Sequence, residues 1–305
     1  MAAADGHAWF VVDRTSAAGT ERVLLHHADS MGCDCMREAL VLPAVPEAMS
    51  AQGADLWIVM PAGDAGRRDV LRVSSSRNPA TGAWFPAGPP AVMPSLPGDG
   101  ELLGIAPVDD GLLALRSGTG LERLVAGRWQ PLEGAPSTAG RRLRSIGGRP
   151  ALVDAAGGMV AQGAGGAWSA VDVAPAGPGT IDFVPGAARP TVVVRLPGGA
   201  RSVRVLVRGA ALERGAFDPP DRASGLVGLG DNLALVVPTG EGGAAFRWLD
   251  PVTGALGPVS VLAPQPADAT QWVCLPSVAM LVLGLGAFVG MRRASRLKSG
   301  SADRR

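Results

Sequence analysis

The residues best suited to chemistry stand close together: His26, His27, Cys33 and Cys35 place four soft-metal ligands within ten residues. Their spacing does not match a zinc finger. Neighbouring histidines on a strand point to opposite faces, so only one of them, His26 for example, could join Cys33 and Cys35. The plainer reading makes His26-His27 the polar end of a strand and the Gly-Cys-Asp-Cys run part of a surface turn, and it is the one adopted. Other chemistry is sparse. The chain has 3 histidines and no tyrosine, which removes most histidine-based triads and the tyrosine nucleophile of sialidases. Gly-x-Ser-x-Gly, Gly-x-x-x-x-Gly-Lys and His-Glu-x-x-His motifs are absent. Asp109-Asp110 and Glu241-Gly242-Gly243 fall in expected turns, where carboxylates serve turn geometry and solubility. No catalytic, cofactor-binding or metal residue is therefore assigned, no cofactor is expected, and the chain reads as a non-enzyme before it reads as an enzyme.

The elements that would position these residues are short strands. The 305 residues include 43 glycines and 26 prolines, with 47% hydrophobic and 18% charged residues. That balance gives a core, interrupts helices often, and suits many strands joined by turns. Stretches such as LLGIAPVD, GLLALRSG, LERLVAG and RWQPLEG follow one another with Asp-Gly, Gly-Thr-Gly and Gly-Arg at the breaks. Superimposed on them is a repeat: a large apolar anchor, an apolar or small residue three positions on, and a proline six to eight positions on. Its copies are Met36/Ala39/Pro43, Trp84/Ala87/Pro90, Trp129/Leu132/Pro136, Trp168/Val171/Pro175, Leu212/Gly215/Pro219 and Leu256/Val259/Pro264. The anchors lie 48, 45, 39, 44 and 44 residues apart. Four strands in about 44 residues is the arithmetic of a propeller blade. The expected fold is all-β, a six-bladed β-propeller over residues 1–264. The first unit reads as one strand short, because only Met1 to Gly6 precedes its first obvious strand.

The W-x-x-apolar-x-x-x-P pattern resembles the outer-strand signature of kelch-type propeller repeats. The kelch glycine doublet survives only as Gly157-Gly158, and the family's tyrosine is missing. The resemblance implies architecture, a closed ring of four-stranded blades, and no function.

After a short linker, 265–271, the run 272–291 holds 20 residues without a charge. At about 1.5 Å per residue a helix of that length crosses the roughly 30 Å hydrocarbon core. Trp272 suits one interface and Arg292-Arg293 the other. A single C-terminal transmembrane helix is thus expected, with Gly286 and Gly290 offering a small-residue face for helix dimerisation. The tail 292–305 carries six basic residues against Asp303, which leaves the remainder at 22 basic and 26 acidic. An acidic body without a basic stripe argues against nucleic acid as a partner. The charge bias places the tail in the cytoplasm and the propeller outside it. The N-terminus MAAADGHAWFVVDR shows no secretory leader. Either Met1 lies downstream of the true start, which is favoured, or the orientation is reversed. The expected function is a membrane-anchored binding or scaffold module for a protein or glycan. The alternative is a membrane-tethered hydrolase or lyase with its site at the channel mouth.

Overall fold

The computed structural model describes residues 1–17, 19–28, 35–80, 82, 84–109, 111–154, 158–163, 165–171, 181–187, 191–195, 201–207, 210–217, 225–229, 232–238, 244–250, 253 and 255–265. Every regular element among them is a strand, and no helix there is long and apolar enough to cross a membrane. The expected span 272–291, its linker from 266, its tail, and Cys33 lie outside the described residues.

The strands run in antiparallel meanders. The first holds β1 (Ala2–Ala4), β2 (His7–Ser16), β3 (Gly19–Ala28) and β4 (Cys35–Leu42). A five-stranded sheet follows with β5 (Ala48–Gln52), β6 (Asp55–Val59), β7 (Arg67–Arg77), β8 (Trp84–Pro86) and β9 (Ala91–Pro97). Three four-stranded sheets come next. One comprises β10 (Leu102–Val108), β11 (Gly111–Arg116), β12 (Gly120–Val125) and β13 (Arg128–Pro131). Another comprises β14 (Arg141–Ile146), β15 (Arg149–Asp154), β16 (Met159–Gln162) and β17 (Trp168–Val171). The third comprises β18 (Ile181–Phe183), β19 (Thr191–Arg195), β20 (Arg201–Val207) and β21 (Ala210–Phe217). The last meander is β22 (Gly225–Leu229), β23 (Asn232–Pro238), β24 (Ala244–Leu249) and β25 (Leu256–Gln265).

This is an all-β propeller, but its described strands form five sheets and not the six expected. The reason is a parallel pairing between the outer strands of the first and last meanders, Ala263 to Cys35, Pro264 to Met36 and Gln265 to Arg37. It merges the two meanders into one eight-stranded sheet. That sheet folds back on itself. Strands β2 and β24 are four strand spacings apart along the hydrogen-bonded path, about 19 Å at 4.8 Å each. Yet the Phe10 and Phe246 rings stand 5.5 Å apart, in a shared core with Ala8, Val12, Val227 and Val236. The first meander is also not short of a strand. Ala2–Ala4 pairs with β2 through Ala2 to Trp9 and Ala4 to His7, its alanines buried. Alanine has low strand preference, so three of them carried no strand signal.

All six repeat anchors lie on an outer strand of a meander: Met36 on β4, Trp84 on β8, Trp129 on β13, Trp168 on β17, Leu212 on β21 and Leu256 on β25; in the five-stranded sheet β9 follows β8 and also pairs with β7. The tryptophans reach back to the preceding meander. Trp84 stands edge-on to His7 at 4.5 Å, Trp129 Nε1 donates to the Pro94 carbonyl at 3.1 Å, and Trp168 packs on the core that holds Leu113 and Leu121. Each of these three tryptophans thus closes a seam between neighbouring meanders, which accounts for their spacing. Burial of side chains such as Leu113, Leu143 and Leu152 at these seams contributes about 1.5–3 kcal/mol apiece.

Candidate functional site

The first strands of all the meanders face one cavity of about 540 Å³. Its walls include Ala3 on β1, Ser50 on β5, Ile105 on β10, Leu143 on β14, Phe183 on β18 and Leu226 on β22. A cavity bounded by every innermost strand is the central channel of the propeller. The inner strands approach closely enough to demand glycine. A Cβ on Gly104, at φ +137°, would lie 2.2 Å from the Leu143 carbonyl oxygen. One on Gly186, at φ +76°, would lie 2.5 Å from the Gly228 oxygen and 2.6 Å from Ala3 Cβ.

Few polar side chains line this channel among the described residues: Glu47, Ser50, Arg142, Arg144 and Ser145. Glu47 is committed elsewhere. Both its oxygens accept from Arg68, at 2.6 and 3.0 Å. Arg68 also donates to the Pro97 and Gly100 carbonyls, so the pair pins the loop between β9 and β10. Arg142 reaches Glu101 at 3.7 Å, with both side chains more than half exposed. Arg142 and Arg144, the described arginines of the wall, come from one strand, β14. The wall offers shape, apolar surface and one cationic strand.

The sequence-selected histidines lie away from the channel: His26, with His7, at the seam between the first meander and the five-stranded sheet, and His27 on the other face of β3 against the last meander. His26 is fully buried, and His7 and His27 nearly so. His26 Nε2 meets His7 Nδ1 at 3.0 Å, and His26 Nδ1 meets Ser75 Oγ at 3.2 Å. The indole of Trp9 stacks on His26 at 4.0 Å, and His27 stands edge-on to Phe246. Burial, with smaller contributions from His7 and His27, drives the His26 pKa down to about 2. Burial also lowers that of His7, against an opposing pull from Asp5. Both ring nitrogens of His26 are thus engaged in a neutral chain, Ser75–His26–His7, one as donor and the other as acceptor. The backbone of Cys35 lies on β4 opposite Ala263, its side chain outside the description together with Cys33. Among the described residues no three His, Cys, Asp or Glu side chains gather to hold a metal ion.

Sequence reasoning missed Ser75 and the Glu47–Arg68 pair. Ser75 sits 49 residues from His26 and Arg68 sits 21 from Glu47, so only the fold joins them. The remaining tryptophans of the strands, Trp9, Trp57 and Trp248, serve the core.

No protein-family profile matches this chain, and no curated protein matches it. Solved structures do resemble it at low identity. TolB from Acinetobacter baumannii superposes with a TM-score of 0.49 at 11% identity, over 85% of this chain and 67% of that one. A 6-phosphogluconolactonase-like protein of Bacteroides uniformis gives 0.43 at 13% identity, over 87% and 85%. A streptogramin B lyase gives 0.37 at 14% identity, over 82% and 78%.

Proposed function

We propose that this chain is a β-propeller binding module, held at a membrane by the apolar run 272–291, which takes a protein or glycan partner at the mouth of its central channel. The observation that carries this reading is the channel wall. Its one described carboxylate, Glu47, is neutralised by Arg68, and its two exposed arginines share a strand, so among the described residues no acid–base or nucleophile–base set faces the cavity. Such a wall is equipped to recognise and poorly equipped to turn over.

We read the two halves of the eight-stranded sheet as separate blades, for six in all. The 5.5 Å approach of Phe10 to Phe246 supports this, since it makes the halves pack face to face as neighbouring blades do. The outer-strand position of every repeat anchor supports the kelch-like reading of the pattern. The basic tail favours a cytoplasmic C-terminus with the propeller on the opposite side, and Gly286 and Gly290 a helix dimer in the bilayer.

The competing reading is a tethered hydrolase or lyase using Arg142 and Arg144. The two are separated by assaying the purified chain on a panel of aryl esters, lactones and unsaturated uronides. The binding reading expects no turnover above buffer. Turnover abolished by Arg144→Ala with the fold intact would replace it with the enzyme.

A further inference from the structure

The seam between the first meander and the five-stranded sheet depends on histidine for its polar links. His26 meets Ser75 across it, His7 meets the edge of Trp84, and the two rings are bonded to each other. At the hairpin tips the Asp5 carboxylate accepts from the Gly53 amide at 3.1 Å. Below them Trp9, Leu24, Ala51, Leu56, Ile58 and Val73 form the apolar core of the same seam. Few charged or titratable groups face the two imidazoles among the described residues. The β1–β2 turn brings Asp5, β4 brings Arg37 opposite His26, and the end of β7 brings Arg77, which donates to the Gly82 carbonyl. His27 lies on the other face of β3, β8 offers the rings of Trp84 and Phe85, and Asp13 pairs with Arg22 further along β2 and β3. No carboxylate is bonded to either imidazole among the described residues. One added proton would therefore leave an imidazolium buried without a counter-ion, and a second would set two donors against each other between His7 and His26. Burial accordingly lowers the pKa of both rings. Parted from the five-stranded sheet, the rings meet water and take up protons that the closed seam refuses. The next seam has no such dependence, because Arg68 and Arg116 remain charged.

We propose that this seam is an acid-released latch in the channel wall: on acidification the first meander parts from the five-stranded sheet while the rest of the ring stays closed. The first meander remains held to the last by the pairing of β4 with β25 and by the core around Phe10 and Phe246. Strand β1 packs on β5 across the latch, and Ala3 and Ser50 on those strands line the channel, so parting them opens the channel sideways. The latch does not depend on what the channel binds.

The test places a thiol in each seam of the full-length chain: Ala51→Cys in the histidine seam and Ala114→Cys in the core between the five-stranded sheet and β10–β13. Both positions are buried. Labelling by a methanethiosulfonate is followed by mass spectrometry, peptide by peptide, so that Cys33, Cys35 and Cys274 are counted apart. Each rate, divided by that of the denatured chain at the same pH, gives an opening constant. Between pH 6.5 and 5 the constant at Ala51→Cys should rise about tenfold per pH unit for each histidine exposed, and should stay above that at Ala114→Cys. Val73→Cys reports on the same seam if Ala51→Cys does not fold. Glutamine keeps a donor and an acceptor but does not titrate, so His7→Gln/His26→Gln should abolish the rise, and His26→Gln alone should reduce it. Equal opening constants at the two seams would mean that only the whole chain unfolds, and would overturn the latch. A constant independent of pH in the histidine seam would overturn it too, as would an undiminished rise in the glutamine variants.

Discussion

Two consecutive seams of this propeller differ in their polar content. Between the first meander and the five-stranded sheet, the contact is a neutral hydrogen-bonded chain of Ser75, His26 and His7 under the Trp9 indole, with buried Arg37 over the Phe85 ring at 4.3 Å. Between the five-stranded sheet and β10–β13 it is ionic. Buried Arg68 holds Glu47 and the carbonyls of Pro97 and Gly100, while Arg116, side chain 3% exposed, holds Glu122 and Asp99. Both arginines therefore grip the loop 97–101 that carries the chain from one sheet to the next. The difference shows that the outer-strand anchors set the spacing of the meanders while the polar content of each seam is free to vary. It also makes the seams respond differently to pH, because an arginine stays charged where a histidine does not. Hydrogen bonds to Glu122, above all, hold the Arg116 pKa above its ordinary value.

The largest effect is expected at Arg116. Arg116→Ala leaves Glu122 buried with its charge uncompensated, and the expected loss is about 3–5 kcal/mol in urea unfolding. The histidine chain should be softer. His26→Leu keeps most of the packing but strips partners from His7 and Ser75, an expected loss of about 1–3 kcal/mol by the same measurement. The pH dependence separates the seams further. The folded pKa of His26 is pushed down to about 2 from the ordinary 6.5. Between those values the unfolded chain takes a proton that the folded chain refuses. Stability therefore falls as pH drops below about 6.5, by about 1.4 kcal/mol per pH unit for one such histidine. Unfolding midpoints between pH 6.5 and 5 should show this slope, and His26→Leu should flatten it. The smallest effect belongs to the channel rim: Arg142→Ala removes a solvated 3.7 Å pair and should shift stability by less than about 1 kcal/mol.

Much of the fold was legible in the sequence. Glycine- and proline-bounded apolar runs located strands such as β10 to β13 nearly to the residue, and tryptophan at a regular interval marked outer strands because that is where packing on the preceding meander repeats. The alanine strand β1 was not legible, since alanine carries no strand preference and only the burial of Ala2 to Ala4 betrays it. The pairing of β4 with β25 was not legible either, because it joins residues more than 200 positions apart. For the sites, the sequence singled out His26 but not what it does. Its partners, Ser75 and His7, come from other strands, so the hydrogen-bonded chain appears only in three dimensions.

The membrane tether proposed for 272–291 predicts the outcome of extracting membranes from cells expressing the full chain with alkaline carbonate, beside a Leu281→Arg/Leu283→Arg variant. Each arginine costs about 2.5–3.5 kcal/mol at the centre of a spanning helix. Wild type should stay in the membrane pellet while the variant is released. Wild type released together with the variant would contradict the tether.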